Sequence, residues 1–388
     1  MEKPKIRFGK FNNKWKKNKL DKVVDFFDNQ RIPIDSGERK AGPYPYYGAS
    51  GIIDYVDGYI FDGEYVLLAE DGANIILRSS PIAYLSKGKF WLNNHAHIMK
   101  MKTGSNGFLI QLLEKQNYEK YNTGTAQPKL NGDVVKNITL HFPSDEEQSA
   151  IGSLFRTLDD LLTSYKDNLT NYQSLKATML SKMFPKTGQT VPEIRLDGFE
   201  DEWELLEIND LADDFQSGGT PKTNVQEYWD GDIPWIQSSD LETNCLFEIK
   251  VQKSISEKGL KNSSAKIIPK DSIAVVTRVG VGKLAVMRHE YATSQDFLSL
   301  SNLKSNIEFT AYLLYRLLQK EVTQLQGTSI KGITKVELLS KKVLIPSLPE
   351  QQAIGTYFTN LDNLISAHQE KITQLETLKK KLLQDMFI

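Results

Sequence analysis

Apolar side chains recur every four and then three residues along two stretches of this chain, with polar and charged residues between them. The first series runs Ile151, Phe155, Leu158, Leu162, Tyr165, Leu169, Tyr172, Lys176, Met179, Met183. The second runs Ile354, Phe358, Leu361, Ile365, His368, Ile372, Leu375, Lys379, Leu382, Met386. A step of that kind kept over about four heptads predicts two helices, each with a coiled-coil seam. Ser144 followed by Asp145, Glu146 and Glu147 predicts the first helix start, because a hydroxyl cap and acidic residues suit the N-terminal dipole. Pro349-Glu350 serves the second, proline being tolerated in a first turn. Residues 145–184 as one helix would span roughly 60 Å at the usual rise. Both seams carry a lysine at the same position, Lys176 and Lys379; a polar seam residue either fixes register or lets its head snorkel into water. Leucines beside the seam (Leu161, Leu175 and Leu180; Leu364, Leu378 and Leu383) widen the stripe enough for a further partner.

The two stretches are copies. Glu147-Gln148-Ser149-Ala150-Ile151-Gly152 returns as Glu350-Gln351-Gln352-Ala353-Ile354-Gly355, and Met183-Phe184 returns as Met386-Phe387, all at an offset of 203. Gly124-Thr125 and Pro143 recur as Gly327-Thr328 and Pro346 at the same offset. Pro4, Ile6, Arg7, Phe11 and Trp15 recur at an offset of 188 as Pro192, Ile194, Arg195, Phe199 and Trp203. The order is therefore arm, variable domain and long helix, twice over, with a duplicated framework and diverged domains.

The variable stretches, 20–143 and 208–346, predict strands broken by turns, as at Tyr65-Val66-Leu67-Leu68-Ala69 and Ile273-Ala274-Val275-Val276-Thr277. Asp57-Gly58, Asp62-Gly63 and Asp71-Gly72 are turn signals. Short helices are expected at 106–119 and 309–324. The expected fold class is α+β: two mixed α/β recognition domains separated by two long helices in an antiparallel coiled coil, with a pseudo-two-fold internal repeat. The expected segments are 1–143 (arm and first domain), 144–185 (first helix), 186–346 (linker arm and second domain) and 347–388 (second helix).

Composition adds little. The chain has 388 residues, a formal net charge of -1, and ordinary hydrophobic and charged fractions. Near-zero charge neither favours nor excludes nucleic acid, since balanced totals can hide a basic face. Cys245 is the single cysteine, so no internal disulfide framework exists and a reducing, cytoplasmic setting is expected. No apolar run reaches the length of a membrane helix, and none follows the first residues as a signal would. Catalytic signatures are missing: Gly280-Val281-Gly282-Lys283 lacks P-loop spacing, and no His-Glu-x-x-His, Cys/His cluster or Gly-x-Ser-x-Gly is present.

Several short motifs occur in a fixed order. They are the aromatic turn Tyr44-Pro45-Tyr46-Tyr47-Gly48, the run Gly231-Asp232-Ile233-Pro234-Trp235, the paired Gly-Thr loops and the Glu-Gln-x-Ala-Ile-Gly helix starts. In this arrangement the chain resembles the specificity subunits of type I restriction-modification systems over nearly its whole length. The resemblance implies two target-recognition domains, each reading one half of a split double-stranded DNA site. It implies long helices that act as a ruler and hold two methylation subunits, with restriction subunits joining that core. It implies no catalysis and no cofactor in this chain; S-adenosylmethionine, ATP and Mg would belong to the partners.

Candidate readers follow from side-chain chemistry, since Asn and Arg can bind adenine and guanine edges in a bidentate manner. They are Asn74, Arg78, Asn94, His95 and His97 in the first domain, and Lys222, Gln237, Arg278, Lys283 and Gln295 in the second. The plainer alternatives are turn capping for the asparagines, structural roles for the histidines and simple solvation for Lys and Gln. Thr125, Lys129, Thr328 and Lys331 in the Gly-Thr loops either meet phosphate or belong to a duplicated structural turn. Expected partner-binding positions on the helices are Ile151, Phe155, Leu158, Leu175, Ile354, Phe358, Leu361 and Leu378. Two rival functions stay open: a protein-binding scaffold, and a self-sufficient nuclease or methyltransferase.

Overall fold

The computed structural model describes residues 3–324 and 332–388. Each expected long helix forms without a break, as Asp145–Lys182 and Leu348–Asp385. The chain divides into two compact units, residues 1–167 with 370–388, and residues 168–369. The division falls inside both long helices rather than at the expected segment ends, because each helix terminus is built into the core of a domain.

In the first unit a six-stranded sheet has the order Val24–Phe26, Ala96–Met101, Phe61–Ala69, Ala83–Leu92, Ala41–Gly48, Gly51–Val56. Helix Asn106–Glu114 buries Phe108, Leu109, Leu112 and Leu113 in the core of this unit, which also takes in Val66, Leu68 and Met99 of the sheet. Met386 and Phe387, at the far end of the chain, belong to the same core. In the second unit a four-stranded sheet runs Ala212–Ser217, Phe297–Leu303, Ser272–Val276, Leu284–Met287, beside a three-stranded sheet Lys253–Ile255, Trp229–Ile236, Ala292–Thr293. Helix Ile307–Gln324 packs its Phe309, Tyr312 and Leu318 into a core that includes Met183 and Phe184 from the end of the first long helix. A two-stranded antiparallel sheet closes each plan: Lys16–Lys19 with Thr139–Phe142, and Glu204–Glu207 with Lys342–Ile345.

The repeated motif now has physical reasons. Glu147 and Glu350 are each 1% exposed and receive a bidentate guanidinium, from Arg7 at 2.7 Å and from Arg195 at 2.7 and 2.8 Å. Gln148 and Gln351 donate to the carbonyls of Pro143 and Pro346 at 3.1 and 2.8 Å, and accept from the Ser105 and Asn306 amides. A Cβ on Gly152 would lie 2.9 Å from the Phe108 nitrogen, and one on Gly355 3.0 Å from that of Phe309. Glycine lets the short helix start against the long one in both units. The arms match too: the Ile6 amide donates to the Asp385 carbonyl at 2.9 Å, and the Ile194 amide to the Lys182 carbonyl at 3.0 Å.

Within each unit the two long helices run antiparallel. In the first, Lys379 pairs with Asp159, and Lys166 with Glu376 at 2.7 Å. In the second, Lys176 pairs with Asp362, and Tyr172 packs edge-on against His368. The seam lysines thus bind carboxylates, and the snorkelling alternative does not describe them. Not every local expectation holds. Asp62-Gly63 lies within strand Phe61–Ala69 and makes no turn; Gly63 stands opposite Gly88 with φ +143° and +72°, so the pair absorbs strand distortion. The short helix ends at Glu114, five residues before the expected stop.

Candidate nucleic-acid interface

Sheet geometry gathers loops at one end of each unit. In the first, strand Phe61–Ala69 ends where Ala83–Leu92 and Ala96–Met101 lie alongside, so loops 70–82 and 93–95 are neighbours. The Glu70 amide donates to the His95 carbonyl at 2.9 Å, and Asp71 bridges Lys129 of the Gly-Thr loop. In the second unit loops 277–283 and 293–296 take the same places. The Thr277 amide donates to the Asp296 carbonyl at 2.7 Å, and the Ile333 amide to the Thr277 carbonyl at 2.7 Å. The correspondence extends to the strands, where Tyr46↔Trp91 and Tyr47↔Leu92 match Trp235↔Ala292 and Ile236↔Thr293 as short parallel pairs.

At this end four first-unit candidates are exposed: Asn94, His95, Thr125 and Lys129. His95 contacts Asp71 at 2.8 Å and stays 52% exposed, and Lys129 lies 3.5 Å from Glu70. Asn122 orders the Gly-Thr loop by accepting from the Gly124 and Lys129 amides at 3.0 and 2.8 Å. Three candidates spend their side chains internally. Asn74 donates to the Ser80 carbonyl and accepts from Ser79 and Ser80, closing its own loop. Arg78, with φ +53°, binds the carbonyl and carboxylate of Glu114 at 2.6 and 2.8 Å. His97 is 1% exposed, with one ring nitrogen on Asp28 and the other on the Leu130 carbonyl, both at 2.7 Å. Burial pushes the Asp28 carboxyl up, but the hydrogen bond and charge of His97, the Ile98 amide and the Arg31 charge outweigh it and hold it below the ordinary value.

In the second unit Lys222, Arg278 and Gln295 are exposed, and Gln295 accepts from the Thr220 hydroxyl. Gln237 contacts Asp240 and Lys253, and Lys283 donates to the carbonyls of Leu241 and Ser238 at 2.8 and 3.3 Å. Thr328 and Lys331 lie outside the described residues. Sequence reasoning passed over Arg31, which reaches Glu70 at 2.6 Å and the Ala96 carbonyl at 2.8 Å and braces the loops at this sheet end. It also passed over Leu77 and Val279, 72% and 70% exposed on matching connections, because Leu77 ends the apolar run Ile75-Ile76-Leu77, which reads as core, and Val279 carries no periodic signal.

On the helices, Ile151, Phe155, Leu158, Ile354, Phe358 and Leu361 are at most 6% exposed; Ile151 and Phe155 belong to the first core, and Ile354, Phe358 and Leu361 to the second. They are not available to a partner. Leu175 and Leu378, expected beside them, are open at 41% and 44%, as are Leu161 and Leu364 at 42% and 41%.

The family profile described as the type I restriction modification DNA specificity domain matches residues 12–171 and again 200–377. The chain belongs to this family. A putative type I restriction enzyme specificity subunit of Haemophilus influenzae is 26% identical over 358 residues, covering 90% of this chain and 88% of that protein. A putative type I specificity subunit of Mycoplasma pneumoniae is 24% identical over 374 residues, covering 94% of both. The crystal structure of a type I S subunit from M. genitalium shares the fold, with a TM-score of 0.69 at 15% identity over 100% of this chain and 99% of that one. The repeated match coincides with the duplicated plan of arm, domain and helix. No described helix of this specificity-family chain is long and apolar enough to cross a membrane.

Proposed function

We propose that this chain is the non-catalytic specificity subunit of a type I restriction-modification complex, each domain reading one half of a bipartite site in double-stranded DNA. One observation carries the reading. Loops 70–82 and 93–95 in one unit and 277–283 and 293–296 in the other meet at the same sheet end, yet they present different side chains, Asn94 and His95 in the first and Arg278 and Gln295 in the second. A constant frame with unlike reading groups suits two unlike half-sites, since base edges are told apart by donor and acceptor pattern. The internally bound Asn74, Arg78, His97, Gln237 and Lys283 then hold the loops in place for the exposed groups.

In this reading the long helices set the gap between half-sites, a task for a stiff element, because a flexible linker would let the gap float. The exposed leucines Leu161, Leu175, Leu364 and Leu378 offer two methylation subunits a repeated apolar docking face. Restriction subunits join through that core. S-adenosylmethionine, ATP and Mg serve the partners.

Replacing residues 20–143 by the corresponding domain of another such chain is expected to change one half of the methylated site and leave the other half and the gap intact. Genome-wide mapping of methylated bases, with the partner subunits present, reads this out. An unchanged motif would sink the proposal and favour a scaffold. Methylation or cleavage by this chain alone would favour an enzyme.

A further inference from the structure

The two units differ where their common plan makes them comparable. In the second, strand Leu284–Met287 is the outer strand of its sheet. Residues 242–248, a stretch of turns and bends, cover it at one point. The Val286 amide donates to the Leu246 carbonyl at 2.8 Å, and Leu246 is 1% exposed. The Phe247 ring centre stands 5.6 Å from that of Tyr312, and the Tyr315 hydroxyl donates to Asn244. This segment belongs to the long link, residues 237–252, between strands Trp229–Ile236 and Lys253–Ile255. In the first unit the matching link between Ala41–Gly48 and Gly51–Val56 is only Ala49 and Ser50. Nothing equivalent to 242–248 is present there.

The matching strand edge is correspondingly open. The pair Ile273↔Val286 corresponds to Val66↔Leu85. The Ala69 amide donates to the Ile82 carbonyl, and bonded and non-bonded pairs alternate in an antiparallel ladder. The amides of Ala83, Leu85 and Lys87 therefore point away from strand Phe61–Ala69. The Ala83 amide is taken by the Glu114 carboxylate at 2.6 Å. On its outer side the strand pairs only through Trp91 and Leu92. Beside the edge at Leu85 and Lys87 lies a groove of about 750 Å³, with Ile110, Leu162 and Leu383 among its walls. Gln111 stands where the second unit has Tyr312, each three residues after the matching Phe108 and Phe309. Arg156 and Lys380 line the groove, both are exposed, and among the described residues neither forms an ion pair. The covering segment of the second unit carries Glu242 and Glu248 at its ends.

We propose that the first-unit groove receives a segment of a partner protein, which bonds to the open edge at residues 85–87 as Leu246 bonds to Val286 in the second unit. A large apolar side chain occupies the place that Phe247 holds in the second unit, and flanking carboxylates meet Arg156 and Lys380. Capping of an open strand edge supplies affinity through main-chain bonding and specificity through the side-chain pocket. The second unit carries its occupant in its own chain; the first takes it in trans. This holds whether or not the loops read DNA.

The probe is a fluorescent synthetic peptide of residues 241–250, with Cys245→Ser, titrated into the full chain. Saturable binding is expected, with amide-exchange protection confined to residues 83–88 and the groove walls. A Phe247→Ser peptide should bind about tenfold more weakly or worse. The chain variant Arg156→Glu/Lys380→Glu alters only exposed side chains; it should also lose about tenfold while its thermal unfolding is unchanged. No saturable binding up to about 1 mM, protection elsewhere, or indifference to both changes overturns the proposal. Light scattering that shows a dimer of this chain broken by Arg156→Glu/Lys380→Glu would assign the groove to a second copy and overturn it as well.

Discussion

Phe387→Ala is expected to loosen the first unit by about 3–5 kcal/mol, and Phe184→Ala the second by a similar amount. Phe387 is 3% exposed, stacks on Phe108 at 5.4 Å, and meets Phe155 and Trp15 at 5.9 and 6.3 Å. Phe184, 1% exposed, has the matching set, with Phe309 at 5.6 Å, Trp203 at 6.0 Å and Phe358 at 6.1 Å. Removing either ring opens a cavity among aromatic neighbours that cannot collapse easily, and forfeits the ring contacts themselves. The location of each effect is the sharper half of the expectation. Phe387 lies at the end of the second long helix, yet its loss should raise amide exchange around helix Asn106–Glu114 and residues 151–155. Loss of Phe184 should raise it around helix Ile307–Gln324. Exchange mass spectrometry separates the two. Softening of the second unit by Phe387→Ala would show that the cores are not divided as described.

That division explains what the sequence could disclose. Periodicity and repeat made both long helices, their starts and their copies legible, because the signals are local or self-referential. The offset of 203 even pairs Phe184 with Phe387, but a repeat cannot say which core each ring enters. The same holds for the seam lysines. Their spacing marks them as unusual, while the carboxylates they meet lie 186 and 220 residues away. Among candidate readers, residue type alone could not separate Asn94, which is exposed, from Asn74, which closes its own loop through Ser79 and Ser80. His95 and His97 are two residues apart and would share a face of a regular strand; they part because His95 stays in the exposed turn ahead of strand Ala96–Met101, while His97 lies inside that strand and is buried. Turn chemistry misled at Asp62-Gly63 because a glycine opposite another glycine can serve a strand as readily as a turn.

Asp362→Ala is expected to cost about 3–5 kcal/mol, whereas Asp159→Ala, its counterpart in the repeat, should cost about 1 kcal/mol or less. Both carboxylates hold a seam lysine, so the contrast isolates the surroundings. Lys176 and Asp362 are 8% and 18% exposed, and the Tyr312 hydroxyl donates to the other Asp362 oxygen at 2.7 Å. The Lys176 ammonium also stands 5.5 Å from the centre of the Tyr312 ring. Removing Asp362 strands a buried ammonium and a buried hydroxyl together, and the cost is that of leaving them without partners. Lys379 and Asp159 are 31% and 43% exposed, with Gln111 in place of the tyrosine, so water can solvate whichever partner remains. Replacing the buried pair as a whole, Lys176→Met with Asp362→Leu, should recover the part of the loss that comes from the stranded ammonium, while the Tyr312 hydroxyl still lacks its carboxylate acceptor. Exchange of the amides in helix Ile307–Gln324 measures the first change, and exchange in helix Asn106–Glu114 the second. Equal costs for the two aspartates would mean that Tyr312 and burial contribute nothing, and that the repeated ion pair sets register alone.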